Sequence, residues 1–387
     1  MTRCGIPFER RRARLLAGIA ILALGLGLRA NAALDTWSSR GSFSNVFFAG
    51  ITYGNGLFVA VGGEEINVSN PHGMIVTSAD GLSWIPRQSG TADFLRAITW
   101  GNGMFVAVGN LGRILTSTDG IVWTARDSHV FYSLNGVVYG NGKFVAVGED
   151  ASIQTSADGI NWSSRNLGDF NLHAIGYGNG LFVAAGTLGT ILISSDGLTW
   201  SRPESGTSSD LFGVAHGKGT FVVVGALEPA TLGVSVLHSG DGIHWSNRVV
   251  ATNDYLFGVA YGSSVFTAVG EVVLTSLDGV NWTSRDAGNQ RFLQAVVYGN
   301  NTFVAAGDET IVQSGPFASL QLRRTGAAEL IITGPVGRSH RIEVADSIQP
   351  NSWRFLGTVT ATTSPYSWID GQSVSAPTRF YRTFMLP

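Results

Sequence analysis

Arg96, Asn135, His173 and Gln294 stand at one equivalent place in an internal repeat, four residues before a ring-bearing residue and Gly, where the other copies have Ala49, Phe212 and Phe257. Cation, amide, imidazole and aromatic groups gathered in one row suit a concave binding site with a few convergent polar groups. A second set follows the repeated Val-Gly or Ala-Gly: Glu64 and Glu65, Glu149 and Asp150, Glu228, Glu271, and Asp308 and Glu309. Carboxylates around a concave mouth add their fields and favour a cation or a basic segment of a partner. Both sets are expected to bind a ligand, and neither supplies a catalytic pair.

Motifs that would carry a reaction are missing. There is no Gly-x-Ser-x-Gly elbow, no His-Glu-x-x-His for zinc and no Asp-x-Asp-x-Asp-Gly loop for calcium. Gly54-x-Gly56 has no third glycine and runs into a strand pattern, which makes it a hairpin rather than a phosphate loop. No metal and no cofactor is expected.

The rows exist because the chain repeats. Tyr53-Gly54-Asn55-Gly56-Leu57-Phe58-Val59-Ala60-Val61-Gly62 recurs with its Phe at 58, 105, 144, 182, 221, 266 and 303. Ser-x-Asp-Gly-x-x-Trp recurs with its Trp at 84, 123, 162, 200, 245 and 282, at spacings of 39, 39, 38, 45 and 37 residues. That period fits four short strands per unit. In one unit they are residues 97–100, 104–109, 113–117 and 121–126, with Gly101-Asn102-Gly103 and Asp119-Gly120 as turns. The last Phe phrase has no Trp phrase after it, whereas Trp37-Ser38-Ser39-Arg40 near the start matches the fourth strand of the other units. Pairing residues 35–40 with 295–314 closes a ring and removes an open strand edge. The fold expected is all-β: a seven-bladed β-propeller closed by an N-terminal strand over residues 33–316, followed by a small C-terminal β-sandwich over 317–387. Insertions at 63–73 and 226–234 fall on the face that also carries the connections between units, where binding function concentrates.

Ser117-Thr118-Asp119-Gly120-Ile121-Val122-Trp123 and its copies resemble the Asp box of bacterial BNR-like propellers, a superfamily with sialidase-like enzymes and photosystem assembly factors. The phrase here is one residue shorter than the usual box. The resemblance covers about residues 35–315 and implies the propeller; in the superfamily the box is a turn-and-packing device, so it implies little chemistry. A sialidase-like site would need three arginines on a carboxylate, a Tyr–Glu nucleophile and an acid. Arg40, Arg87, Arg126, Arg165, Arg248 and Arg285 each follow the unit's Trp by three residues, which marks them as structural. The Arg-Ile-Pro triplet is absent; Ile85-Pro86-Arg87 has another order. Residues 317–387 resemble C-terminal accessory domains of secreted bacterial proteins, which implies surface attachment or sorting.

Arg10, Arg11, Arg12 and Arg14, the apolar run 15–28 and Ala30-Asn31-Ala32 read as a secretory signal peptide over residues 1–32, too short to span a membrane. Its removal would take six Arg, one Glu and the sole cysteine, Cys4, and leave 19 basic against 26 acidic side chains. A chain of that sign repels a phosphate backbone, so nucleic acid is excluded as a partner. The expectation is a secreted, periplasmic or cell-surface monomer with no membrane span, a non-catalytic propeller that binds a protein or glycan, with a basic segment favoured. The alternatives are a sialidase-like glycan hydrolase or lyase and an assembly factor for an envelope complex.

Overall fold

The computed structural model describes residues 34, 37–64, 72–228, 233–252, 254–285 and 292–315, and then 319–324, 328–333, 339–345, 354–360, 362, 366–370 and 380–385. The expected signal segment, residues 1–32, and Glu65 lie outside them. Asp35–Gly315 form one compact unit, and Pro316–Pro387 belong to a second.

Each repeat in the first unit is an antiparallel meander. Leu95–Gly101, Met104–Gly109, Ile114–Ser117 and Thr124–Arg126 lie side by side in that order. The Asn-Gly turns have both central residues at positive φ, 48° at Asn102 and 72° at Gly103, the twist-matched turn that this dipeptide favours. In the second turn Ser117 Oγ accepts from the Gly120 N–H at 2.8 Å, Asp119 Oδ1 accepts from Ile121 and Val122 at 2.8 and 2.9 Å, and Trp123 Nε1 donates to the Gly120 carbonyl. The same bonds recur around Asp80, Asp158, Asp196, Asp241 and Asp278.

The unit contains six hydrogen-bonded sheets, not the expected seven. The strand Trp37–Gly54 is continuous over 18 residues. Its first part pairs with Thr310–Ser314 and its second, from Val46, with Leu57–Glu64, so the first and last repeats share one six-stranded sheet. Closure by the N-terminal segment therefore fuses two units rather than completing a separate one. The sheet of Leu172–Gly178, Leu181–Gly186 and Ile191–Ser194 has only three strands, because pairing beyond Ser194 shrinks to the single bridge Ile193–Ser201 ahead of Pro203.

Packing between repeats explains the constant residues. Phe58, Phe105, Phe144, Phe182, Phe221, Phe266 and Phe303 are fully buried, and apolar clusters join neighbouring repeats, as where Val59, Val61 and Ile75 meet Leu95, Phe105 and Leu115. The Gly that ends each inner strand lies under the next repeat's ring: a Cβ on Gly101 would stand 2.2 Å from Tyr139 Cγ. The series runs Gly54–Trp100, Gly101–Tyr139, Gly140–Tyr177, Gly178–His216, Gly217–Tyr261, Gly262–Tyr298 and returns through Gly299–Tyr53. Three of the arginines after the Trp bond inside their own repeat: Arg87, Arg126 and Arg285 Nε donate to Thr77, Thr116 and Thr275 at 2.9 Å, whereas Arg165 donates to the Leu198 carbonyl of the next repeat.

The C-terminal unit holds two three-stranded antiparallel sheets. One orders Ser319–Arg324, Ala328–Thr333 and Tyr366–Asp370; the other orders Arg354–Thr360, Ser339–Ala345 and Phe380–Met385. Leu330, Ile332, Ile342, Val344 and Val359 form one small apolar cluster drawn from both. Two sheets sharing this cluster stand where a small sandwich was expected; a complete sandwich is not shown among the described residues. Among the described residues no helix is long and apolar enough to cross a membrane.

Candidate functional site

A β-bulge interrupts every inner strand at the variable row. Register slips between Phe48 and Gly50, Leu95 and Ala97, Leu172 and Ala174, Leu211 and Gly213, Leu256 and Gly258, and Leu293 and Ala295. In the strand Leu134–Gly140, Leu134 and Gly136 face consecutive partners, which leaves Asn135 unpaired in the same way. The residues skipped are Ala49, Arg96, Asn135, His173, Phe212, Phe257 and Gln294. A bulged residue owes no ladder bond and its side chain is re-aimed, here into a common space.

That space is a cavity of about 1120 Å³, and all seven bulge residues line it. Glu64 and Glu149 join them. Of the other carboxylates proposed from sequence, Asp150, Glu228, Glu271, Asp308 and Glu309 are not part of the lining, and local side-chain bonds hold three of them elsewhere. Asp150 Oδ2 accepts from Asn166 Nδ2, Glu309 Oε1 accepts from the Asn45 N–H at 2.8 Å, and Glu228 Oε1 accepts from Ser235, Asn247 and Thr207. Burial alone would raise the Glu228 pKa, and these hydrogen bonds outweigh it and hold the carboxyl below its ordinary value. Glu271 and Asp308 donate their backbone N–H groups to the carbonyls of Tyr255 and Phe292, as Glu149 does to Ser133.

Lining residues that the sequence reading missed include Phe47, Phe94, Ser133 and Asn171. They stand two places before the bulge, a second variable row legible from the same alignment of repeats. The backbone explains their place: the residue after the Val-Gly or Ala-Gly donates its N–H to their carbonyls, Asn110 to Phe94, Glu149 to Ser133 and Thr187 to Asn171, each at 2.9 Å.

The cavity wall has two characters. On one side Arg96 Nε donates to Asn110 Oδ1 and the guanidinium lies over Phe94 at 5.9 Å. Asn135 Nδ2 donates to the Leu172 carbonyl at 2.9 Å while its Oδ1 is buried without a partner among the described residues. Glu149 Oε2 accepts from the Ser133 N–H at 3.2 Å. On the other side stand the rings of Phe212 and Phe257. His173 lies between the two. Burial pushes its pKa down, opposed by Asp210 and Glu149 and assisted by Arg96, so the imidazole is neutral at neutral pH. Asp93, also in the wall, is bound by Arg113. Among the described residues there is no group of three or more potential metal ligands.

Fold and cavity together define a class, an all-β propeller with a variable concave mouth on a rigid repeated frame. No protein-family model and no curated protein sequence matches the chain. Among solved structures, the chain is similar to YCF48 from Cyanidioschyzon merolae, with a TM-score of 0.54 and 14% identity over 72% of this chain and 98% of that one. A structure of YCF48 bound to D1 peptide gives a TM-score of 0.57 and 15% identity over 73% of this chain and 97% of the other. At these identities the likeness is one of fold.

Proposed function

We propose that this chain is an exported, non-catalytic propeller that binds an extended segment of a protein partner in the mouth cavity, while its C-terminal unit, a small sandwich, tethers or sorts it. The observation that carries this reading is the lining of one cavity by every bulge residue of the ring, each of a different character from its neighbours except for the Phe pair. A catalytic role is poorly served by the wall: among the described lining residues Arg96 is the one arginine, and it shares the wall with Glu64, Glu149 and an Asp93 already bound by Arg113. A carboxylate clamp of three arginines has no counterpart there. The fold neighbour whose structure holds a peptide lends the protein-partner reading further support, and an assembly factor for an envelope complex is one form that reading takes.

The test is retention of a random linear peptide library on the immobilised full chain, with a glycan array alongside. Peptides retained by the wild type and lost by the Arg96→Ala/Asn135→Ala/Phe257→Ala variant support the reading. Retention of glycans alone, or retention indifferent to these substitutions, contradicts it.

A further inference from the structure

The bulge row breaks its pattern of unlike neighbours at one place, where two adjacent repeats both carry Phe. Their rings meet, Phe212 to Phe257 at 5.6 Å between centroids with planes at 41°. His173 extends the surface on one side, 5.3 Å from Phe212, and Tyr255 on the other, 6.1 Å from Phe257 and nearly parallel to it at 7°. Four rings thus form a continuous arc over three successive inner strands. His173, Phe212 and Phe257 line the cavity, and Tyr255 is 38% exposed. Core packing does not account for the arc. The core's own aromatic pairs, such as Tyr261 with Phe266, recur in each repeat with the Phe fully buried, whereas the arc occurs once and stays open.

Charge on the side of Phe212, Phe257 and Tyr255 is acidic, while at the other end of the arc His173 feels Arg96 as well as Asp210 and Glu149. Asp210 precedes Phe212 by two residues, its Oδ1 accepting from the Leu188 N–H at 2.8 Å, and Asp254 immediately precedes Tyr255, its Oδ2 accepting from the Thr252 hydroxyl; both are part-exposed. Glu271, exposed, donates its N–H to the Tyr255 carbonyl. The strands Leu211–Gly217 and Leu256–Gly262 and the segment 270–272 contain no Lys or Arg. Arg96 is two inner strands from His173 and three from Phe212 around the ring, held by Asn110 and Phe94. Ring faces are electronegative and attract a cation, and carboxylates at their rim add to that attraction.

We propose that this arc takes a lysine or arginine side chain of the bound segment, its alkyl stem on Phe212 and Phe257 and its head towards the rim of Asp210, Asp254 and Glu271. This rests on the protein-segment reading of the same cavity. A neutral His173 contributes a ring face rather than a repelling charge.

Nonapeptide libraries, acetylated and amidated, with a fixed central Lys, Arg, norleucine, Phe or Glu and random flanks, separate the two claims. On the immobilised full chain, the Lys and Arg libraries are expected to be retained about fivefold over norleucine at low salt, the ratio for roughly 1 kcal/mol of cation–ring attraction. Phe212→Leu/Phe257→Leu, which keeps apolar bulk and removes the ring faces, is expected to bring that ratio to about one; Phe257→Leu alone, the milder change, is expected to lower it in part. Equal retention of norleucine or Phe, or preference for Glu, overturns the cation proposal and leaves the peptide-binding reading standing. No retention of any library overturns both.

Discussion

The two ends of the propeller are built from the same strands and differ in how tightly backbone geometry dictates their residues. At one end, turn after turn uses Ser, Asp and Gly in the same bonds, and the Asn-Gly hairpins repeat their positive φ. At the other, each inner strand begins with a bulge, and the bulged side chain changes from repeat to repeat. The difference teaches where selection for folding ends: a residue that must accept two backbone N–H groups is fixed by chemistry, and a residue that owes the ladder nothing is free to meet a ligand.

The comparison breaks most visibly at the ring closure. Deleting residues 37–42 removes the pairing of the first strand with Thr310–Ser314 and exposes that edge, so the melting temperature should fall by roughly 10 °C or more by calorimetry. A melting temperature equal to the wild type would defeat the closure argument. Next in size is the turn end. Ser117→Ala leaves the buried Gly120 N–H without its acceptor and should cost about 1–2 kcal/mol, roughly 3–8 °C, in thermal or urea unfolding.

A third effect appears only in acid. His216 takes the ring position that Tyr or Trp fills in the other repeats, its Nε2 buried without a partner among the described residues. Burial pushes its pKa below 6.5. The unfolded chain therefore takes the proton more readily, so the stability from a neutral His216 is complete above about pH 6.5 and lost as pH falls through the folded-state value. His216→Tyr should match the wild type at pH 8 and surpass it progressively towards pH 5, as melting curves across that range would show. A constant difference between the two at all pH values would remove the histidine from the explanation. Fourth, and smallest in stability, are the mouth residues: Arg96→Ala and Phe257→Ala should each shift the melting temperature by no more than about 2–3 °C while weakening peptide retention.

Much of the frame is legible in the amino-acid sequence. The Phe and Trp phrases placed the strands and the turns, and Trp37–Arg40 pointed to closure, because packing and turn chemistry write the same residues into every copy. The merging of the first and last repeats was not legible, since nothing in Gly41–Asn45 says whether the chain breaks or runs on as one strand. At the site, the row of Arg96, Asn135, His173 and Gln294 came from contrast between copies, and the bulge that gathers it has no residue signature of its own. The acidic row misled in part. Glu149 and Glu64 reach the cavity, but Glu228 and Glu309 turn to nearby donors, and sequence position alone does not tell a rim carboxylate from an internal acceptor.

The central claim, that folding resides in the turn end and binding in the mouth, is tested most directly by one paired measurement on two variants. Melting temperature and retention of the random peptide library are recorded for Ser117→Ala and for Arg96→Ala/Asn135→Ala/Phe257→Ala. The first is expected to melt lower and to retain peptides as the wild type does, at a temperature where both are folded; the second is expected to melt within a few degrees of the wild type and to retain none. A mouth variant that keeps full retention, or one that loses binding only because it has unfolded, would contradict it.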